Sequence, residues 1–197
     1  MAGWIYPINI YLSQPEMENN ALVVQAYLQP RGWTNNAIAG LLGNMQSEST
    51  INPAIWESLN EWNYSGGYGL VQWTPASKYI DWANANGYSI TDGDAQLFWI
   101  DANSEASGQW IKTDAYPLTF TEFKKSTQSP SYLASAFLKN FERAGVEVES
   151  QRRAQAEAWY TFINGSGGSD DVWLPKKRKG YKFVLFNNRS KRNVKQR

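Results

Sequence analysis

Cysteine and histidine are both absent from this 197-residue chain. The first absence excludes disulfide frameworks and thiolate metal sites; the second excludes imidazole ligands, Ser-His-Asp triads and Cys-His nucleophiles. Serines such as Ser47 and Ser49 therefore have no imidazole to activate them, and they read as local caps rather than nucleophiles. Long apolar runs are missing as well: nothing approaches the 18 consecutive residues of a membrane-crossing helix, so no membrane insertion is expected. The opening residues, Met1-Ala-Gly-Trp-Ile-Tyr-Pro7, carry neither a basic stretch nor an apolar core of the signal-peptide kind. They point to a chain made in the cytoplasm without its own export signal. The chemistry left over belongs to carboxylates, hydroxyls, amides, Lys, Arg and aromatic rings, with no metal and no cofactor expected.

Aromatic residues are abundant, at 15% with 10 Trp and 11 Tyr, a supply of flat apolar surfaces with polar edges that suits sugar binding or a core. The net charge of +1 conceals an uneven distribution. Residues 1–170 hold nine basic and 17 acidic side chains, whereas residues 171–197 hold ten basic and one acidic. An acidic body thus precedes a basic tail. The length fits one domain plus a small appendage.

Helix signals dominate the body. Ser13-Gln-Pro-Glu16 has capping-box spacing before apolar Leu22, Val23, Ala26 and Tyr27, which predicts a helix over about 14–29. Thr34 can cap a second helix, in which Ile38, Leu41, Leu42 and Met45 recur at core-facing spacing. Asn52-Pro53 marks a break, and Gly66-Gly-Tyr-Gly-Leu-Val-Gln-Trp73 reads as glycines leading one arm of a hairpin. Thr74-Pro75 offers a start for a helix ending near Gly87, and further helices are expected at about 93–105, 120–127, 130–143 and 149–163. The expected fold class is therefore α+β, predominantly α, with six or seven helices and one small β-hairpin. A main domain over 1–163, a Gly/Ser-rich linker over 164–171 and a basic C-terminal tail over 172–197 complete the expected organisation.

The informative residue is Glu48. It lies three residues beyond Met45 and seven beyond Leu41, so a continuous helix carries its carboxyl on the apolar face, pointing inward at the helix C-terminus. Desolvation and the negative end of the helix dipole both favour a protonated carboxyl there. Such a group suits general-acid catalysis, for instance the protonation of a departing sugar oxygen. The alternative is a solvated glutamate at a frayed helix end.

The company Glu48 keeps separates the two. Gly40-Leu-Leu-Gly-Asn-Met-Gln-Ser-Glu-Ser-Thr-Ile-Asn-Pro53, followed by Gly66-Gly-Tyr-Gly-Leu-Val-Gln-Trp-Thr-Pro-Ala-Ser77, resembles the phage tail lysozyme domain of the lysozyme-like superfamily over residues 14–163. The resemblance implies a lysozyme-like fold, Glu48 as catalytic acid, and Gln72 and Tyr68 on a strand lining the cleft; Gln72 reads as a catalytic-site hydrogen-bond partner that orients an N-acetyl group or the strand, with the alternative of an ordinary polar strand residue. It implies cleavage of peptidoglycan between N-acetylmuramic acid and N-acetylglucosamine by a virion-associated enzyme. Gly67 stands where animal c-type lysozymes place a second carboxylate. Two routes stay open: inversion, with Glu57 or Glu61 activating water, and transglycosylase-like cleavage, with one glutamate serving as acid and then base.

Trp56, Trp62, Tyr64 and Trp73 flank the proposed cleft and are candidates to stack on sugars, each with the alternative of a core role. The basic tail would attract teichoic acid or dock a phage tail structural protein, with Tyr181–Phe186 as an added edge strand. Nucleic acid is not expected as a partner, because the acidic body opposes it.

Overall fold

The structure, a computed structural model, describes residues 3–5, 8–143 and 149–165. Seven α-helices carry the described fold: α1 (Gln14–Leu28), α2 (Asn35–Ser49), α3 (Ser77–Ala85), α4 (Gly93–Asn103), α5 (Phe120–Lys125), α6 (Pro130–Phe137) and α7 (Glu149–Gly165). Several begin where the capping residues place them. Glu16 Oε2 accepts from the Ser13 N–H at 2.9 Å, Thr34 Oγ1 accepts from Ala37 N–H at 3.1 Å, and Thr119 with Glu122 forms a capping box.

Helix α2 is the central rod. Ten of its 15 residues are buried, including an unbroken run from Ala37 to Met45, because α6 and α7 pack on it from two sides. Two glycines make that approach possible. A Cβ on Gly40 would lie 2.9 Å from the Leu133 carbonyl carbon, and one on Gly43 would lie 2.5 Å from the Arg152 carbonyl oxygen. Around this rod Leu28, Trp33, Leu97, Phe123, Phe137 and Trp159 close one continuous core.

The expected β-hairpin does not form. No strand occurs among the described residues, only two isolated antiparallel bridges, Trp56 with Tyr68 and Tyr68 with Trp73. The cause is local: Gly69 at φ +76° and Gln72 at φ +45° turn the backbone so tightly that residues 68–73 coil on themselves, as the Trp73 N–H to Tyr68 carbonyl bond records. Boundaries shift elsewhere. Helix α1 tightens into a 3₁₀ turn at Gln29–Arg31, and α3 starts at Ser77 rather than at Thr74-Pro75. Helix α6 ends at Phe137 and widens into a π-helix, Leu138–Glu142, while α7 runs on through Gly165 and so takes in the first two residues of the expected linker. The remainder of the linker, the edge strand 181–186 and the basic tail lie outside the described residues. No helix among the described residues is long and apolar enough to cross a membrane.

Candidate functional site

Glu48 occupies the last turn of α2, and its inward direction follows from the stripe that Leu41 and Met45 begin. The close α2–α7 contact at Gly43 sets Arg152 against it. Arg152 Nη2 donates to Glu48 Oε1 at 2.5 Å while Nη1 donates to Asn44 Oδ1 at 3.0 Å, so one guanidinium spans a full turn of the facing helix. Asn44 is itself fixed, its amide donating to the Gly40 and Ala134 carbonyls. The arginine side chain is 6% exposed and the glutamate side chain 19%. The carboxyl is thus held by a counter-ion, shielded, and still reachable from outside.

The chain turns sharply after Glu48. Thr50 and Ile51 both adopt positive φ, at 52° and 56°, a costly pair for non-glycine residues that the surroundings must hold. Leu12 N–H donates to Thr50 Oγ1, the Asn20 amide donates to the Ile51 carbonyl, and the Asn52 amide donates to the carbonyls of Ile8 and Ile10. Ser49 Oγ lies 2.9 Å from the carbonyl oxygens of both Met45 and Leu70, tying the helix end to the 68–73 coil. The fully buried Gln96 of α4 anchors that coil: its Oε1 accepts from Leu70 N–H at 2.8 Å, and its Nε2 donates to the Pro53 and Ile90 carbonyls. Gly69 leaves room for this amide, since a Cβ there would come within 2.6 Å of Gln96 Oε1.

Between these walls opens a cleft of about 490 Å³, within the size range of small-molecule sites. Glu48, Gln72, Glu57, Trp56 and Trp73 line it, together with Tyr11, Lys78, Gln109 and Arg143, the two tryptophans being buried in the core behind it. The other expected residues stand apart from this lining. Tyr68 is fully buried beneath Trp56, with ring centroids 4.6 Å apart. Trp62 and Tyr64 are exposed, each 5.7 Å from the Trp56 ring, and form an aromatic shoulder beside the cleft. Glu61 is exposed and does not line this cleft.

Local bonds already occupy two of the lining groups. Glu57 Oε2 accepts from Gly67 N–H at 2.9 Å, a contact that stitches the loop closed. The Gln72 amide donates to the Ile55 and Gly69 carbonyls at 3.2 and 3.1 Å, so it braces the coil against residue 55.

Sequence reasoning missed Glu142 and Arg152. Glu142 ends the π-helix, and it lines the cleft with Phe141 and Arg143. The residue as a whole is partly exposed, but its Oε1 is sealed from solvent and has no hydrogen-bond partner. Burial and the charge of Glu48 hold its carboxyl well above the ordinary carboxylate range, outweighing the opposing pull of Arg152 and Arg143. The carboxyl that burial pushes up in this cleft is therefore Glu142, while Glu48, where a protonated carboxyl was expected, faces an arginine. No motif spacing pointed to either partner; only the inward face of α7 and the end of the 130–143 helix carried a signal. No cluster of His, Cys, Asp or Glu suited to holding a metal ion occurs among the described residues.

A helical domain with a carboxyl at the end of its central helix, facing a turn-rich coil across an aromatic-walled cleft, is the architecture of lysozyme-like proteins. The chain belongs to the phage tail lysozyme family, whose pattern matches residues 19–163. It is 49% identical over 164 residues to morphogenesis protein 1 of Bacillus phage B103, an alignment covering 83% of this chain and 44% of that protein. The chain thus spans less than half the length of that relative.

Proposed function

We propose that this protein is a peptidoglycan muramidase, cutting the glycan strand between N-acetylmuramic acid and N-acetylglucosamine, with Glu48 as the general acid. The observation that carries the reading is the placement of Glu48: shielded, paired to Arg152, and open to a cleft walled by Trp56 and Trp73. In this reading the substrate lies along the cleft, the core residues Trp56 and Trp73 back its wall, and a carboxyl proton passes to the departing glycosidic oxygen. Trp62 and Tyr64 extend the sugar-contacting surface beyond the cleft, and Gln72 keeps the coil at the right distance from Glu48.

The test is Glu48→Gln. The variant is expected to fold and bind purified cell walls while losing their clearing; retained clearing overturns the assignment. Mass spectrometry of the products separates the two routes, because hydrolysis leaves reducing ends and transglycosylation leaves an anhydro sugar. In the hydrolytic route Glu57 is the cleft-lining candidate to activate water, its Oε2 held by Gly67 N–H and its other oxygen left to accept.

The setting we propose is a phage tail, where the enzyme opens the wall locally during infection. Family membership and the likeness to a phage morphogenesis protein support it. The basic residues beyond 171 would add attraction to teichoic acid or to a tail structural protein. Deleting 171–197 is expected to weaken wall binding at low salt most; unchanged binding at every salt concentration would refute that role.

A further inference from the structure

The cluster around Glu48 contains two carboxyl groups and one guanidinium. Glu48 at the end of α2 and Glu142 at the end of the π-helix that follows α6 both line the cleft, and Arg152 reaches Glu48 from α7 behind it. The arginine is engaged at both terminal nitrogens, with Nη2 on Glu48 and Nη1 on Asn44, while its buried Nε has no partner. Glu142 Oε1 receives no donor and no solvent.

We propose that Glu142 is a positioning residue that acts through Glu48, the two side chains sharing a single proton opposite the one guanidinium of Arg152. The proposal rests on the reading of Glu48 as the catalytic acid.

Charge balance carries the argument. One carboxylate and one guanidinium neutralise each other; a second carboxylate would place part of its charge on an oxygen that neither water nor a donor reaches. The cluster therefore retains one proton when ordinary carboxyl groups have lost theirs. At rest the sealed oxygen of Glu142 is the favoured carrier. The burial and like-charge effects on Glu142 described above act in the same direction. The other charged groups nearby are Arg143, adjoining Glu142 in the chain and opposing this effect, and Glu57 and Lys78, which line the same cleft. Lys139 on the same π-helix is paired with Glu149 at 3.5 Å.

The proton account closes over a turnover. Glu48 delivers the shared proton to the departing sugar oxygen as the glycosidic bond breaks, leaving the pair with two carboxylates. The incoming hydroxyl, from water or from the substrate itself, bonds to the sugar carbon and releases one proton, which restores the pair. Glu142 touches no substrate in this scheme; it supplies the second site over which the proton is held.

The experiment compares the full chain with Glu142→Gln and Glu142→Asp across pH on soluble glycan strands. Glutamine removes the second titrating site, so the alkaline limb of kcat is expected to move down by about one pH unit or more, with the acid-side plateau and KM kept. Aspartate restores a carboxyl, and the limb returns toward that of the parent. An unchanged limb in Glu142→Gln, or a loss equal at every pH, overturns the proposal, since the latter is what a merely structural role would produce. Should the variants fail to fold, ¹³C titration of the carboxyl signals in the unmodified protein decides it. One carboxyl proton retained to well above the ordinary glutamate range is expected; both carboxyls releasing together near their ordinary values overturns it. That titration does not depend on activity. An active Glu48→Gln with a retained proton would therefore sink the muramidase reading and not the shared proton.

Discussion

Arg152 Nη2 meets Glu48 Oε1 at 2.5 Å across the α2–α7 contact, and this pair fixes the carboxyl at the end of the central helix. Asn44 holds the other arm of the same guanidinium, so the arginine cannot leave Glu48 without breaking a second bond. Precision at the site is thus borrowed from helix packing and not from the loop that follows.

Replacing Arg152 with methionine keeps most of the volume and strands Glu48 and Asn44. Removing one member of a largely buried pair costs about 3 kcal/mol. Chemical denaturation is expected to show a loss of that order. Arg152→Lys is expected to recover only part of it, because an ammonium lacks the two-armed reach to residues 44 and 48.

Gly43→Ala and Gly40→Ala should separate stability from activity. Each added methyl collides with backbone, at 2.5 Å from Arg152 O or 2.9 Å from the Leu133 carbonyl carbon, and overpacking of this kind costs about 1–3 kcal/mol. The first displaces α7 at the arginine itself, the second displaces α6. Both variants are expected to melt earlier, while wall clearing measured well below melting falls only in Gly43→Ala.

Gln96→Leu removes three hydrogen bonds and leaves Leu70 N–H and the carbonyls of Pro53 and Ile90 unpaired in the interior. Stranding several buried polar groups costs about 1–3 kcal/mol for each that finds no water. The expected outcome is a large drop in stability, together with faster hydrogen exchange at Leu70, as the coil opposite Glu48 loosens.

Stability should also depend on pH through two acids of opposite sign. The native state binds the Glu142 proton more tightly than the unfolded chain does, so its contribution is complete below the ordinary glutamate range and is lost as pH rises through the native value. The slope for one proton reaches about 1.4 kcal/mol per pH unit, and Glu142→Gln should flatten it. Glu122 runs the other way. The Thr119 backbone N–H and hydroxyl bonds hold its carboxyl below the ordinary value, so its contribution is present above that range and fades as pH falls. Denaturation series from pH 3 to 8 on the parent and the variant check both limbs.

Much of the framework could be read from the chain because it is written in local contacts. The capping residues Ser13, Thr34 and Thr119 place helix starts, and Leu41, Met45 and Glu48 share a face because the helical period makes them share it. The expected hairpin is replaced by a coil for an equally local reason: Gly66-Gly67 announces a turn, but the positive φ values at Gly69 and Gln72 add two more, and residues 68–73 make only isolated bridges. Glu57 and Glu61 both sit between the two motifs, but in the fold Glu57 closes its own loop at the cleft and Glu61 stands in solvent.

The sequence by itself determined the helical framework, the exclusion of thiol and imidazole chemistry, and the position of Glu48 at an inward-facing helix end, since each follows from composition or from residues within a few turns of one another. Only the tertiary structure decided what surrounds that carboxyl. Arg152 lies 104 residues further along, and Glu142 reaches the same cleft from a π-helix whose extra width no spacing rule announces. Charges act through space and not along the chain, so the state of a buried acid is settled by whichever helices pack beside it. Here the absent side chains of Gly40 and Gly43 settle how closely they pack.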